Sequence, residues 1–398
     1  MGFGLDGVVI LRNSLRAKTF TAIRDFGYNA GEWRVDKHVR LVADMTGDGT
    51  GDLVGFGDNG VLISFNNGNN TFSPAKLVLS GFGHDAGGWQ VDKHLRYLSD
   101  IRGVGRCDIV GFGDSGVIVS RNNGNAKFDR PYVALNTFGC AGGWRLDRHL
   151  RFLGDATGDG LPDIVGFGES DVYIGRNNGN GTFASAQIAI THFCYTNGWR
   201  VDQHPRFIAD LTGDGKVDLI GCADCGVQVS LNQGNGVFGP VKLVVNDFGN
   251  GQGWKVGQHP RYIADLMGDK RGDIIGFGNE GVWVAYNNGD GTFQPAKFVL
   301  GQFGVKQGWK VSENPRFVVD LTGDGCADII GFGDSGVYVA YNDGKGGFEP
   351  VQILTSGFAS NDGKWPVDKT VCWLAHVNQS SSGLGNRTPE LPGPPGAL

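Results

Sequence analysis

The amino-acid sequence predicts an all-β protein, a single β-propeller built from four-stranded antiparallel blades. A tryptophan recurs every 55 or 56 residues, at Trp33, Trp89, Trp144, Trp199, Trp254, Trp309 and Trp365, and a fixed period of this size is typical of propellers and other repeat folds. Short runs rich in valine, isoleucine and leucine alternate with turn residues, which is typical of strands. Glycine accounts for 69 of 398 residues and has no period of three, so it indicates many tight turns rather than collagen.

Each repeat divides into four predicted strands, as the first complete copy shows. Residues 38–44 (HVRLVAD), 52–57 (DLVGFG), 60–67 (GVLISFNN) and 75–82 (AKLVLSGF) form apolar runs that Asp-, Asn- and Gly-rich turns separate. No segment sustains the 3.6-residue period of an amphipathic helix. We therefore expect four-stranded blades and very little helix.

The ends of the chain complete the predicted ring. Six full units begin near residues 38, 94, 149, 204, 259 and 314, residues 1–30 supply three further strands, and residues 370–377 (TVCWLAHV) supply a fourth. The sequence therefore predicts seven blades over residues 1–377, closed by N- and C-terminal strands. Six blades with two trailing arms is the alternative. The Ser-, Gly- and Pro-rich residues 378–398 are predicted to be a loosely packed tail.

Composition narrows the function classes. The net charge of -6 and the pI of about 5.7 lack the basic footprint of a nucleic-acid-binding protein. No apolar run approaches the roughly 18–20 residues that span a bilayer. We see no signal peptide, so we expect a protein that is cytoplasmic or released by a non-signal route. The seven cysteines are scattered, and only Cys222 and Cys225 form a CxxC, which favours reduced thiols.

The turn between the first and second strands of each unit carries carboxylates that suit a hard cation. DMTGDGTGD places aspartates at positions 1, 5 and 9 of the loop and threonine at position 3, and such oxygen ligands can surround Ca²⁺. Four loops keep this pattern, and their predicted metal ligands are Asp44, Thr46, Asp48, Asp52, Asp155, Thr157, Asp159, Asp163, Asp210, Thr212, Asp214, Asp218, Asp320, Thr322, Asp324 and Asp328. We expect structural Ca²⁺ in some of them. The alternative is Asp-rich turns whose side chains cap backbone amides without metal.

Two loops depart from the pattern. The copy at Asp265 has Met267 at position 3 and lacks the turn glycine. The copy at Asp100 has Val104 in place of the central carboxylate and adds Arg102, whose positive charge should repel a cation.

The opposite end of each unit carries the motif WRVDKHVR together with GFGDNG. Tryptophan offers a flat apolar surface, aspartate accepts hydrogen bonds, arginine donates them and histidine does either, a mixture that suits a sugar with an acetamido group. The predicted sugar-binding residues are Trp33, Asp36, His38, Arg40, Asp58, Trp89, Asp92, His94, Arg96, Asp114, Trp144, Asp147, His149, Arg151, Glu169, Trp199, Asp202, His204, Arg206, Trp254, His259, Arg261, Trp309 and Arg316. The structural alternatives are tryptophans that pack between blades, Arg–Asp ion pairs and core histidines.

The polar members of this motif change along the chain, whereas tryptophan stays. Gly257 replaces the expected aspartate in the fifth copy, Ser312 and Asn314 stand in the sixth, and only Asp368 survives after Trp365. The sequence therefore predicts four intact sites, two altered sites and one without function.

The motifs WRVDKHVR, GFGD and DxTGDGxxD together resemble the Psathyrella velutina lectin family of fungal β-propellers, repeat by repeat over essentially the whole chain. The last two elements alone also resemble integrin-type FG-GAP repeats. The lectin resemblance implies several pockets that bind non-reducing terminal N-acetylglucosamine, and other acetamido sugars such as sialic acid, with calcium in some loops. The expected partners are glycans on glycoproteins or cell surfaces, which a multivalent agglutinin would cross-link, and neither nucleic acid nor a membrane interior.

Propellers also serve two other function classes, hydrolysis and protein binding. A propeller hydrolase needs one asymmetric site with its own nucleophile and acid/base pair, whereas the polar groups here are spread evenly among the repeats, so we expect no enzyme. An integrin-like protein-binding propeller is the remaining alternative. It predicts a single large apolar or charged patch in place of equivalent pockets.

Overall fold

A computed structural model of the chain shows seven four-stranded antiparallel sheets, the blades of a seven-bladed β-propeller. The structure describes residues 1–11, 19–69, 71–359 and 365–375. The prediction of seven blades, rather than six, and of almost no helix is confirmed. The predicted tail at 378–398, and residues 376–377 of the predicted last strand, lie outside the described residues.

One compact unit holds three blades and comprises the described residues 1–146, 177–185 and 365–375. Blade 1 consists of β4 (Val39–Ala43), β5 (Asp52–Phe56), β6 (Val61–Ser64) and β7 (Lys76–Leu79). Blade 2 consists of β8 (Leu95–Ser99), β9 (Asp108–Phe112), β10 (Val117–Ser120) and β11 (Tyr132–Leu135). Blade 7 consists of β28 (Val371–Cys372), β1 (Gly2–Phe3), β2 (Val8–Leu11) and β3 (Thr19–Ile23).

The other compact unit holds the strands of four blades, within residues 147–176 and 186–359. Blade 3 has β12 (Leu150–Gly154), β13 (Asp163–Phe167), β14 (Val172–Gly175) and β15 (Gln187–Ile190). Blade 4 has β16 (Arg206–Ala209), β17 (Asp218–Ala223), β18 (Gly226–Ser230) and β19 (Lys242–Val245). Blade 5 has β20 (Arg261–Ala264), β21 (Asp273–Phe277), β22 (Val282–Ala285) and β23 (Lys297–Leu300). Blade 6 has β24 (Arg316–Val319), β25 (Asp328–Gly333), β26 (Gly336–Ala340) and β27 (Gln352–Thr355).

Burial follows strand position within each blade. All five residues of β5 are buried, because the second strand lies between strand neighbours in its own sheet and packs on both faces, which explains its continuous apolar run. The fourth strand is the edge of the sheet, and Lys76 at the start of β7 is exposed. A charged residue at a sheet edge opposes pairing with another chain.

Blade 7 is assembled from the two ends of the chain. Strand β1 pairs antiparallel with β2 and with β28, where Gly2 lies opposite Cys372. The backbone N–H of Trp373 also donates to the carbonyl oxygen of Met1 at 2.8 Å. The predicted closure by N- and C-terminal strands is thus confirmed.

A buried asparagine that follows the third strand ties each of several blades to the preceding one. Nδ2 of Asn287 donates to the carbonyl oxygens of Leu211 at 2.9 Å and Gly272 at 3.0 Å, and Leu211 belongs to the first turn of blade 4. The same bond to the preceding blade is made by Asn122, Asn177, Asn232 and Asn342. The first asparagine of the recurring NNG and related turns therefore has an architectural role.

The described residues contain four short 3₁₀ helices, each between the fourth strand of one blade and the next tryptophan. They are Cys140–Gly142, Tyr195–Asn197, Asn250–Gln252 and Val305–Gln307. None of the helices in the described part of the chain has the length and apolar character needed to cross a membrane.

Candidate functional site

Two segments meet at one end of each blade and form a recurring site. In blade 1 they are the link 26–38, which contains Trp33 and leads into β4, and the turn 57–60 between β5 and β6. The turn that follows β7 holds this second segment in place, because His84 N donates to Gly57 O at 3.1 Å and Asp85 N donates to Asp58 O at 3.0 Å. We name this arrangement site 1 and the equivalent positions in blades 2, 4, 5 and 6 sites 2, 4, 5 and 6, and site 3 denotes His149 and Glu169 of blade 3.

Site 6 contains an open cavity of about 290 Å³, near the lower end of the usual range for small-molecule sites. It lies between the link that precedes blade 6 and the turn between β25 and β26. Its lining includes Gln302, Gln307, Trp309, Asn314, Asp334 and Tyr338. A few polar groups that converge on an aromatic wall are what a small polar ligand requires.

The tryptophans are mostly buried. Trp33, for example, is 4% exposed, and its indole lies on the backbone of Gly55, where a Cβ would come within 2.3 Å of Trp33 Cη2. Glycine is therefore required by close approach of the ring, and Gly111, Gly221, Gly276 and Gly331 lie equally close to their tryptophans. The indole packs inside the protein and offers a ligand only an edge. Its burial argues against the predicted role as a flat surface for stacking, which stays a prediction.

The arginines of the motif are also inside the protein. Arg40 is 2% exposed, and its Nη1 donates to the carbonyl oxygen of Phe26 at 3.1 Å. Phe26 has a left-handed backbone with φ of 58°, a conformation that costs a non-glycine residue about 1–2 kcal/mol, and the arginine bond helps to hold it. Arg96, Arg206, Arg261 and Arg316 repeat the bond, and Arg151 is equally buried.

Burial lowers the pKa of Arg40 to about 10, so the guanidinium stays charged at neutral pH. Aromatic rings close to these arginines offset part of the cost of desolvation. The guanidinium of Arg96, for example, lies 5.6 Å from the ring centre of Trp89 and 5.7 Å from that of Phe56. These contacts give the arginines a packing role, and their predicted contact with a sugar stays a prediction.

The histidines are buried, and their Nε2 atoms face the acids of the turns. Nδ1 of His38 accepts the backbone N–H of Arg34 at 3.1 Å, so the ring proton of the neutral form lies on Nε2, which donates to Asp58 Oδ1 at 3.0 Å. His94 and His204 make the same two bonds, to Gln90 and Asp114 and to Arg200 and Asp224, and His149 meets Glu169 at 3.0 Å. Desolvation lowers the pKa of His38, His94 and His149.

The carboxylates that these histidines hold are open to solvent. The side chain of Asp58 is 39% exposed whereas that of His38 is 7% exposed. Lys37 Nζ also lies 2.5 Å from Asp58 Oδ1, and hydrogen bonds from Lys37 and then His38 lower the pKa of Asp58. Asp58 and Asp114 are therefore ionised, preoriented hydrogen-bond acceptors, and their contacts with lysine and histidine are made at Oδ1, which leaves Oδ2 to a ligand.

The altered copies differ in what they preserve. In site 6, Asn314 makes both bonds of the missing histidine: its Oδ1 accepts from Lys310 N at 3.0 Å and its Nδ2 donates to Asp334 Oδ1 at 3.0 Å. In site 5, His259 is kept but faces Asn279 Oδ1 at 2.9 Å. In blade 7, Leu5 stands in the place of the acid and Thr370 in that of the histidine, so the pair is lost together.

Some site residues escaped the sequence prediction. Asp224, Asn279 and Asp334 face the histidine or asparagine of sites 4 to 6, each 20 residues further along the chain. That constant spacing, already visible between His38 and Asp58, is the signal that could have found them. The predicted aspartates of the link, Asp36, Asp92, Asp147 and Asp202, are exposed, and their contact with a sugar stays a prediction.

The Asp-rich loops at the other end of the blades are closed by backbone amides. Asp44 accepts from Gly47 N and Gly49 N, each at 2.7 Å. Asp52 is fully buried and accepts from Met45 N at 2.9 Å and Asn66 N at 2.8 Å. Asp155 and Asp163, Asp210 and Asp218, and Asp320 and Asp328 repeat this arrangement, at least in part.

One loop shows what chemistry these carboxylates accommodate. In the copy without the central aspartate, Arg102 reaches the buried Asp108, with Nε 2.9 Å from Oδ2 and Nη2 2.7 Å from Oδ1. The guanidinium of Arg102 thus contacts the carboxylate at the ninth position of the loop. This contact indicates that the oxygen-rich donor set of the other copies suits a hard cation. The presence of calcium stays a prediction.

Among the described residues, two clusters have metal-ligating atoms within 4.8 Å of one another, and neither includes a carboxylate of the DxTGDGxxD loops. In the cluster of His94, Asp114 and Cys140, Nδ1 of His94 accepts a backbone N–H, so Nε2 carries the proton and has no lone pair for a metal. In the cluster of Asp58, His84 and Asp85, Lys37 already neutralises Asp58. Neither cluster supports a metal centre.

Comparison with solved structures identifies a relative of nearly equal length. The chain is 61% identical to an Agrocybe aegerita lectin, solved for its specific recognition of non-reducing terminal N-acetylglucosamine, and the match covers 95% of each chain with a TM-score of 0.94. A match to the Photorhabdus luminescens Tc holotoxin pore covers 86% of this chain and 14% of the pore chain, at 17% identity and with a TM-score of 0.47. No protein-family model and no curated protein matches the chain. The chain therefore belongs to the family of the Agrocybe aegerita lectin.

Proposed function

We propose that this protein is a multivalent lectin that binds non-reducing terminal N-acetylglucosamine in its repeated sites, and that it is one of the Psathyrella velutina-type propeller lectins. The observation that carries the proposal is the 61% identity, over 95% of both chains, to a lectin that recognises this sugar. Repetition of the exposed acid with its buried donor supports it independently, since one chain repeats one polar arrangement in successive blades.

The site chemistry suits a neutral sugar with vicinal hydroxyls. A carboxylate is an acceptor only, so Asp58, Asp114, Glu169, Asp224 and Asp334 accept hydrogen bonds from sugar hydroxyls. The buried donor opposite each acid removes one degree of freedom before the ligand arrives, which reduces the entropy lost on binding. The apolar edge of Trp309 and the ring of Tyr338 in site 6 face the carbon atoms or the acetamido methyl group.

Multivalency determines the affinity for a cell surface. A small open site binds a monosaccharide weakly, in the upper micromolar to millimolar range, which corresponds to roughly 4–6 kcal/mol. Several such sites on one chain raise the overall avidity by roughly 10²–10⁴ where the glycans are spaced to match. The partners we propose are therefore clustered glycans with terminal N-acetylglucosamine on glycoproteins or cell surfaces.

Binding rather than catalysis is the proposed activity. A hydrolase needs one acid/base pair that differs from its surroundings, whereas the exposed acids here are near-copies of one another, each held by a histidine or an asparagine. The comparisons give no support to the alternative of an integrin-like protein-binding propeller.

Calorimetric titration tests the proposal. Heat of binding with N-acetylglucosamine and none with glucose, which lacks the acetamido group, is the expected result. Absence of heat with N-acetylglucosamine at millimolar concentration, from protein whose circular dichroism shows a folded β structure, would contradict it.

We also propose that Ca²⁺ occupies some of the four DxTGDGxxD loops and braces them. Support comes from the buried carboxylate at position 9: desolvation raises the pKa of Asp52 and Asp218 to about 7, a burden that a bound cation would relieve. Thermal unfolding with Ca²⁺ and with a chelator tests this. A midpoint that rises with Ca²⁺ but not with Mg²⁺ is expected, and equal midpoints in chelator and Ca²⁺ would contradict the proposal.

A further inference from the structure

Site 5 differs from its neighbours in one exposed side chain, which is a neutral amide and not a carboxylate. In site 4 the buried His204 donates to the carboxylate of Asp224 at 3.1 Å. In site 5 the equivalent His259 meets the amide of Asn279 at 2.9 Å. The two sites belong to adjacent blades of the same compact unit, and in the link they also differ at Asp202 of site 4, where site 5 has Gly257.

The orientation of the Asn279 amide follows from the histidine tautomer. Nδ1 of His259 accepts the backbone N–H of Lys255 at 3.1 Å, so Nε2 carries the proton and can only donate. The Asn279 atom that faces it must be the oxygen. The Nδ2 amino group, which is a donor, is therefore the part of Asn279 that a ligand meets.

The scaffold around this amide is otherwise unchanged. Trp254 lies on Gly276, where a Cβ would approach Cζ3 of the indole to 2.6 Å, and Arg261 Nη1 donates to Phe248 O at 2.8 Å. Lys306 N donates to Asn279 O at 2.9 Å, as Asp85 N donates to Asp58 O in site 1. The difference between sites 4 and 5 at this point is thus one acceptor and one negative charge.

We infer that Asn279 determines the specificity of site 5 and makes it the weaker site for N-acetylglucosamine, an inference that rests on the proposed function. Sugar hydroxyls donate to the acid in sites 1 to 4 and 6, and a hydrogen bond to a charged acceptor is about twice as strong as a neutral one. In site 5 one lone pair of the Asn279 oxygen is taken by His259, so a hydroxyl meets the Nδ2 donor or the remaining lone pair of a neutral acceptor. A loss of about 1.4 kcal/mol, or tenfold in affinity, follows from the range for hydrogen bonds to charged groups.

Two isosteric exchanges test this inference in the full chain. Asn279→Asp creates the acid in site 5, and Asp224→Asn removes it from site 4, each without a change of side-chain size. Both residues are exposed, so neither variant should lose its fold, and equal unfolding midpoints confirm that. Crystals of the three proteins are soaked in graded concentrations of N-acetylglucosamine, and sugar occupancy is refined separately at sites 4 and 5.

In the original protein, site 5 should fill at about tenfold higher sugar concentration than site 4. Asn279→Asp should bring the two together, and Asp224→Asn should make site 4 as weak as site 5. Equal filling of sites 4 and 5 in the original protein, or an unchanged site 5 in Asn279→Asp, would overturn the inference while leaving the proposed function intact. Absence of sugar from every site at any concentration would overturn both.

Discussion

The two ends of blade 1 use aspartate in opposite ways. At the site 1 end, Asp58 is partly exposed, and hydrogen bonds from Lys37 and His38 lower its pKa. At the other end, Asp52 is fully buried, accepts two backbone amides, and has a pKa raised by desolvation to about 7. One acid is held ready for a ligand, and the other is part of the loop architecture.

This difference shows why one repeated sequence can carry two functions. The residue type is the same at both ends, and its role depends on exposure to solvent. In water a carboxylate can keep one oxygen free of protein partners, whereas in the interior both oxygens must accept hydrogen bonds. We propose that recognition and architecture are separated within a blade, so that one end can be altered without the other. The predictions below test that separation.

The largest expected effect is at the buried end, where a cation is replaced. Arg102→Ala leaves the buried Asp108 without its partner, which should cost roughly 3–5 kcal/mol of the free energy of unfolding. Arg121 pairs with Asp129 at an exposed position of the same blade, so Arg121→Ala should cost no more than about 1 kcal/mol. Urea denaturation of both variants measures the difference, and equal losses would contradict the comparison.

Calcium should be able to take over from the arginine if the loops bind it. The double variant Arg102→Thr with Val104→Asp converts this loop to the DxTGDGxxD pattern of the other copies. We expect its free energy of unfolding to recover in Ca²⁺ but not in chelator. A double variant as unstable in Ca²⁺ as Arg102→Ala would argue against a cation in these loops.

The next effect is a pH dependence of stability from the same end. A folded-state pKa of about 7 for Asp52, against roughly 3.9 in the unfolded chain, means that the folded state binds the extra proton. Its contribution is present at low pH and is lost as pH rises towards 7. In chelator, the stability of the original protein relative to Asp52→Asn should therefore fall by roughly 2.6 kcal/mol between pH 5 and pH 8.

The comparison with Asp52→Asn isolates this effect. His38, His94 and His149 have lowered pKa values and act in the opposite direction, because the unfolded chain binds their protons first, below about pH 6.5. They are present in both proteins and cancel in the difference. A pH-independent difference would show that Asp52 titrates in the folded state as in the unfolded chain.

A smaller loss of stability is expected between blades. Asn287→Ala removes two hydrogen bonds to the buried carbonyl oxygens of Leu211 and Gly272 and should cost roughly 1–2 kcal/mol. Asn288, the next residue, is exposed and bonds only Thr292 by its side chain, so Asn288→Ala should change stability by less than about 0.5 kcal/mol. Denaturant titration distinguishes them, and equal effects would contradict the tie between blades 4 and 5.

The smallest expected effect is on binding at a single site. His204→Ala removes the buried donor of Asp224, which keeps its bond from Asn250 Nδ2, and should weaken site 4 by up to about tenfold. His204→Asn should stay within about threefold of the original protein, because Asn314 makes the same two bonds in site 6. Sugar occupancy at site 4 in soaked crystals checks both, and a loss as large in His204→Asn would show that the imidazole ring itself is needed.

The fold was largely predictable, because repetition turns weak local signals into a strong one. The period of the tryptophans, and the leftover strands at both ends of the chain, were enough for seven blades. Strand β4 occupies Val39–Ala43, within the predicted 38–44. The third strand is shorter than predicted, because Asn66 leaves the sheet to pair with Phe72 in the next turn.

The site was less predictable, because sequence does not show which face of a residue meets water. Trp33 and Arg40 have the chemistry of sugar contacts, yet they pack in the interior beside Gly55 and Phe26. Asp224 was missed because GCADCG hides the GFGD pattern. The sequence predicted that Asn314 alters site 6, whereas the structure shows that its amide makes both bonds of the imidazole.

The most direct test of the central claim is a titration with the exposed acids removed. The variant Asp58→Asn, Asp114→Asn, Glu169→Gln, Asp224→Asn and Asp334→Asn replaces the acids of sites 1 to 4 and 6 by amides of equal size. We predict that the titration midpoint with N-acetylglucosamine moves to about tenfold higher sugar concentration, because every site then resembles site 5, together with an unchanged unfolding midpoint. Binding as strong as that of the original protein would contradict the claim that the preoriented acids recognise the sugar.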